Sequence, residues 1–287
     1  MVKFRSVWPV LKHAGDSLTR KAVSRQRVAP GPSESRPYLV NYHIFKNAGS
    51  SMDHLLDAHF GTGFGQYETA LPFQAVDPEG FGAFLAERPG LRAISSHLPR
   101  RFLLHPYCLP LVMLRHPIDR ARSVYQFIRR DATAKDHSIA CRGFAAYVDW
   151  ALATPGEGIS IRNYQVFHLS GLPLLDDNPL LISTSDDLAQ AREQIAAWPA
   201  FGLVRDFARS CQLFQQQYGA TFPGLRFYDL RANVSPNSIP SEAQAIAATR
   251  DELGSEIFAR LCAANELDDE LYRYAQKLFV ALTLRFD

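Results

Sequence analysis

The chain has only four cysteines, Cys108, Cys141, Cys211 and Cys262, and no two of them form a CxxC pair. No cysteine–histidine cluster has zinc spacing, so the four read as reduced thiols of a reducing compartment. No apolar run approaches the ~20 residues that a membrane-spanning helix needs. Lys3, Arg5 and Lys12 interrupt the amino-terminal segment, which removes the apolar stretch of a secretory signal. These absences predict a soluble, cytoplasmic protein. HExxH, GxSxG and calcium-type aspartate ladders are also missing, so no metal is expected. The chain contains no Gly-Lys dipeptide, which excludes a Walker A loop. It has no internal repeat.

What is present is ordinary for a globular protein: 47% apolar and 21% charged residues in a chain of 287. Such a length can bury a sizeable core. The charge is uneven. Residues 1–36 hold eight basic side chains against Asp16 and Glu34, an excess of six. Since the whole chain sums to +2, residues 37–287 carry −4. Residues 1–37 are therefore read as a basic arm ending in a Pro/Ser/Gly-rich linker, and 38–287 as the folded domain. The arm is a solvated extension, or a peripheral contact with anionic lipid at the inner membrane surface. No nucleic-acid partner is expected.

Tyr38–Phe45 reads as a strand, and Met52, Leu55, Leu56 and Phe60 repeat at helical spacing after it. Leu91–Ser96 is a second strand candidate. The uninterrupted apolar run Leu109–Arg115 suits a strand buried on both faces. Pro117 opens a helix to about Arg130. Further helices are expected near 142–153, 186–197, 206–218, 241–262 and 267–284, with Thr184 and Asp187 as a capping box. Phe201–Val204 and Leu225–Tyr228 are short strand candidates, and the glycine-rich stretch Gly61–Gly65 a flexible loop. Alternating strands and helices predict an α/β three-layer sandwich, P-loop-like, with a mainly parallel central sheet and helices on both faces.

Two segments carry chemistry. In His43-Ile44-Phe45-Lys46-Asn47-Ala48-Gly49-Ser50-Ser51, small residues let the backbone curl around an anion, and the following helix aims its N–H groups and positive dipole end at it. Ser50 and Ser51 can donate hydroxyl hydrogen bonds, and Lys46 adds a point charge at the strand end. In Arg115-His116-Pro117-Ile118-Asp119-Arg120-Ala121-Arg122-Ser123-Val124-Tyr125, a strand-end arginine and a helical serine can converge on one phosphate. Taken alone, the first is also compatible with an ordinary turn and the second with a solvated basic helix face. Between them, His97 follows the second strand and would emerge at the same crevice, where a neutral imidazole can accept a hydroxyl proton. His43, His116 and His105 are weaker alternatives for that base.

The first segment resembles the 5′-phosphosulfate loop of sulfotransferases, particularly the carbohydrate enzymes related to heparan sulfate 2-O-sulfotransferase, approximately H-I-P-K-T-G-G-T-S. His43, Ile44, Lys46, Gly49 and Ser51 match it, while Phe45, Asn47 and Ala48 depart from it. The second is similar to their 3′-phosphate motif, approximately R-[DHN]-P-x-[ED]-R-x-x-S-x-[YF]. Arg115, Pro117, Asp119, Arg120, Ser123 and Tyr125 fall in register. Arg162–Gly171, Phe201–Phe207 and Asn265–Tyr272 also resemble segments of this family, the last two as structural stretches. The resemblance implies a sulfotransferase using 3′-phosphoadenosine 5′-phosphosulfate as co-substrate, without a metal. In that picture Lys46, Asn47, Ala48, Gly49, Ser50 and Ser51 hold the 5′ end. Arg115 and Ser123 hold the 3′-phosphate, and His97 and Lys46 are catalytic. Asn163 and Gln165 line the cleft. The acceptor is a hydroxyl, first of all on a carbohydrate or glycolipid. The rival expectations are a P-loop-like nucleotide kinase and a non-catalytic nucleotide-binding protein docked on membrane.

Overall fold

The computed structural model describes residues 36–68, 78–97, 108–154, 157–170, 182–229 and 241–284. The chain begins with β1 (Tyr38–Tyr42), α1 (Gly49–Phe60), β2 (Phe64–Gln66), α2 (Pro78–Ala86), β3 (Ala93–Ser96) and β4 (Cys108–Leu114). It continues through α3 (Pro117–Arg130), α4 (His137–Ala140), α5 (Phe144–Ala153), α6 (Tyr164–Ser170) and α7 (Ser185–Ala197). β5 (Gly202–Leu203), α8 (Phe207–Tyr218), α9 (Glu242–Ala263) and α10 (Glu266–Thr283) complete it.

The five strands form a wholly parallel sheet in the order β2-β3-β1-β4-β5. β1 is the central strand, and all five of its residues are buried, as expected where both faces are covered. Asn41 points to α1, where its amide donates to Asp53 Oδ1 at 2.7 Å. Tyr42 points to the opposite face, its ring 5.2 Å from that of Trp198 just after α7. The main core joins these strands to α1, α6, α7, α8 and α10 through Val40, Leu56, Val112, Phe167, Phe214 and Phe279. A second core joins α3, α5 and α9 through Val124, Tyr147 and Leu261. The α/β three-layer sandwich holds, and its sheet is parallel throughout.

Several local expectations shift. β1 ends at Tyr42, not Phe45, because the Ile44 N–H turns back to the Tyr42 carbonyl (2.7 Å). α1 starts three residues before the apolar periodicity does. Gly61–Gly65, expected as a flexible loop, is one 3₁₀ turn followed by β2, which pairs with β3 at the sheet edge. Leu225–Tyr228 is no strand. Leu225 and Phe227 are buried, and the Phe227 N–H is taken by the Gln215 side chain of α8 (3.0 Å), not by a neighbouring strand. The basic arm and His105 lie outside the described residues. Among the described residues no helix is long and apolar enough to cross a membrane.

The capping box of α7 forms as expected: the Asp187 N–H donates to Thr184 Oγ1 (3.4 Å), and Thr184 donates its N–H to Asp187 Oδ2 (2.7 Å). Replacing Thr184 by Ala is expected to cost about 1 kcal/mol. Urea and thermal unfolding should show a lowered midpoint with an unchanged urea slope.

Candidate functional site

β1, β3 and β4 are adjacent and parallel, so the residues following them emerge along one edge of the sheet. This is where the strand order reverses, the place where open α/β sheets bind ligands. After β1 the backbone makes a tight turn with Lys46 at φ 66° and Ala48 at φ 62°. Ala48 caps α1 with no side-chain bond. Hydrogen bonding of the helix begins only with Ser51 and Met52 N–H to the Ala48 carbonyl (3.0 and 3.2 Å). The earlier N–H groups therefore project from the amino end with the positive end of the helix dipole. Gly49 is obligatory for a different reason from loop closure. A Cβ there would lie 1.9 Å from the His43 ring.

The Lys46 ammonium rests over Phe127 (4.8 Å from the ring centre) and Phe45 (5.8 Å). Burial, then the nearby Arg115 and Arg130, push its pKa down from 10.5 to about 8. Cations held close together make a site that favours an arriving anion.

Arg115, directly after β4, reaches this loop. Its Nη1 donates to the Lys46 carbonyl (3.1 Å), and its Nε to Asp119 Oδ2 one turn into α3 (2.8 Å). Burial pushes the Asp119 carboxyl up, but Arg115 outweighs it, so the group titrates below the usual carboxylate range. Ser123 is partly exposed and stands at helical spacing between Asp119 and Phe127. Asp119 holds Arg115 and Phe127 supports Lys46, so the stripe carrying Ser123 faces both cations. Arg120, from the same motif, does something else. It is completely buried, its guanidinium 4.9 Å from the Tyr164 ring centre, and its nitrogens have no hydrogen-bond partner among the described residues.

The side chains of Asn47, expected in the 5′ loop, and Gln165, expected in the cleft, do not face an opening. Both are buried, at 2% and 1% exposure. Asn47 Nδ2 donates to the Met113 carbonyl and to Gln165 Oε1, each at 2.8 Å. Gln165 Oε1 also accepts the Arg115 N–H (2.9 Å), and its Nε2 donates to the Arg115 carbonyl (2.9 Å) and to Asp268 Oδ2 (3.4 Å). The amide thereby uses both its donors and both acceptor positions on protein. Asn163, at φ 40°, accepts the Asp268 N–H through Oδ1 (3.1 Å), while Asn265 Oδ1 accepts the Asn163 N–H (3.2 Å). The Asp268 carboxylate accepts the Gln165 and Val166 N–H groups (3.1 and 2.8 Å). The expected cleft residues are thus a clasp between α6 and α10, and only the backbone of Asn47 borders the anion loop. The contacts between the α6 and α10 segments join residues more than a hundred positions apart, which no spacing in the sequence reveals.

His97 follows β3. Its backbone N–H and its Nδ1 both bond to Glu68 Oε1, at 2.8 and 3.0 Å. Its ring stacks on His43, centroids 4.1 Å apart and 23° between planes. His43 in turn bonds through Nδ1 to Asp53 Oδ2 (3.1 Å). Burial, then His97, keep the His43 imidazole below its ordinary pKa, with Asp53 opposing. Glu68 and Asp53 carried no motif in the sequence. His116 is occupied at the start of α3, where its Nδ1 accepts the Ile118 N–H (3.3 Å). An open groove of about 440 Å³ lined by Thr62, Phe64, Phe84, Arg88 and Leu91 lies at the β2 edge, and none of the expected site residues lines it.

No protein-family model matches the chain. A protein of Archaeoglobus fulgidus, described as uncharacterized, is 28% identical over 250 residues, covering 83% of this chain and 95% of the relative.

Two measurements check this geometry. Gln165→Leu orphans buried groups of Asn47, Arg115 and Asp268 and should cost more than about 2 kcal/mol in urea unfolding. For Lys46, whose folded-state pKa is depressed, the unfolded chain holds more protons between pH ~8 and ~10.5. Stability relative to Lys46→Met should therefore rise with pH across that window and be flat below it.

Proposed function

We propose that the protein is a sulfotransferase that moves the sulfuryl group of 3′-phosphoadenosine 5′-phosphosulfate to a hydroxyl acceptor. The observation that carries this reading is the hydrogen bond from Arg115 to the Lys46 carbonyl. It joins two cationic loops, after adjacent strands, into one anion-binding edge. A nucleotide with phosphates at both ends needs two such points of grip within reach of each other. The N–H groups at the start of α1, with Ser50 and Ser51, suit the 5′ end. Arg115, aimed by Asp119, and Ser123 suit the 3′-phosphate, which distinguishes this donor from ATP.

In this reading the acceptor oxygen attacks sulfur in line as the bond to the bridging phosphate oxygen breaks. That oxygen leaves with the electron pair, and His97 Nε2 takes the hydroxyl proton. Lys46 balances the charge developing on the leaving phosphate. Positioning and charge stabilisation dominate such transfers. A carbohydrate or glycolipid hydroxyl is the proposed acceptor. The proposed location is the cytoplasm, with the basic arm available to an anionic inner membrane surface.

Calorimetry with adenosine 3′,5′-bisphosphate tests the reading. Binding should weaken about 10- to 100-fold in Lys46→Ala or Arg115→Ala, since a charge-assisted bond contributes about 1.5–3 kcal/mol. It should also weaken as pH rises through about 8, where Lys46 loses its proton. His97→Ala should leave that binding intact and lower label transfer from the donor to extract acceptors by orders of magnitude. A preference for ATP, with no gain from the 3′-phosphate, would favour a kinase. Binding without any transfer would favour a non-catalytic protein.

A further inference from the structure

We propose that Glu68 is the positioning residue of His97, holding the imidazole in the tautomer that leaves Nε2 bare for the acceptor proton. This rests on the reading of His97 as the base. A single oxygen, Glu68 Oε1, accepts both the His97 backbone N–H and its Nδ1, at 2.8 and 3.0 Å. The backbone bond anchors the carboxylate independently of the ring, so the ring meets an acceptor already in place. An ionised carboxylate only accepts. The neutral imidazole must then carry its proton on Nδ1, and its basic lone pair sits on Nε2.

The ring plane is set from the other side. His43 stacks against His97 at 4.1 Å and is itself fixed by Asp53, which also accepts from Asn41 (2.7 Å). The missing side chain of Gly49 makes room for the His43 ring. The array follows from the strand order: residues leaving β2, β3 and β1 stand side by side, and these are Glu68, His97 and His43. Among the described residues, the ionisable groups around His97 are Glu68 from the segment after β2, His43 from the turn after β1 and Asp53 from α1. Burial works against a charge on the stacked neighbour, whereas the His97 ring stands beside the Glu68 carboxylate. There the carboxylate stabilises the imidazolium that forms when the acceptor is deprotonated.

The test uses the full chain labelled with ¹⁵N-histidine, and His97→Gln assigns the His97 signals. Multiple-bond ¹⁵N–¹H spectra should show His97 as a single Nδ1–H species. In Glu68→Ala that species should give way to a mixture of tautomers. Glu68→Gln, which keeps an accepting oxygen, should keep the tautomer. Glu68 is partly exposed, and circular dichroism checks that each variant folds. A His97 that stays Nδ1–H in Glu68→Ala overturns the proposal. Adenosine 3′,5′-bisphosphate is titrated into the same samples. Unaltered binding with an altered tautomer supports both readings. Failure of the unmodified chain to bind overturns the sulfotransferase reading while leaving the tautomer result to be read alone. With a transferring preparation, Glu68→Ala should lower kcat at least tenfold and leave the donor KM unchanged.

Discussion

The side-chain amide of Gln165 is the interaction on which the candidate site depends. It accepts from the Asn47 side chain and from the Arg115 backbone N–H, and donates to the Arg115 carbonyl. One planar group thus fixes both the turn after β1 and the exit of β4. An amide suits the task because it offers donors and acceptors at once in a fixed plane. Burial makes the arrangement all or nothing, since each partner left alone would lose its bond in a place that water does not reach. Asp268 completes it by holding Gln165 from behind through α10.

Around that neutral clamp the charges are uneven. Arg115 and Arg130 both act on Lys46, while the carboxylate of Asp119 is committed to aiming Arg115. A folded protein that keeps its cations this close gives up stability. Ala48 at the start of α1 deepens the cost, because it leaves helix N–H groups without a cap. Both features run against stability and both favour an anion. Departures from local optimum of this kind concentrate where a protein binds something.

The lysine loop and the arginine–serine segment were legible because their information is local. A short β-rich run, small polar residues and a helical period place Lys46 in the turn between a strand and a helix, although the strand stops earlier, at Tyr42. An apolar run followed by Pro117 places Arg115 at another. The capping box at Thr184 was legible for the same reason. Asn163 and Gln165 were placed in a cleft by resemblance, whereas their polarity serves burial. Nothing in Arg162–Gly171 states that Asn265 and Asp268 will arrive from α10 to meet it. β2 was hidden behind glycines, because three residues at a sheet edge carry too little alternation to register.

The sequence by itself determined the class of the fold, the strands after which Lys46, His97 and Arg115 come, and the cationic character of the two loops. Each of these depends on residues within a dozen positions of one another. Only the tertiary structure decided which ends adjoin. The order β2-β3-β1-β4-β5 brings Glu68 to His97, His97 to His43, and Arg115 to Lys46. Strand order is set by how helices pack across the whole sheet, and long-range packing leaves no periodic trace in the chain.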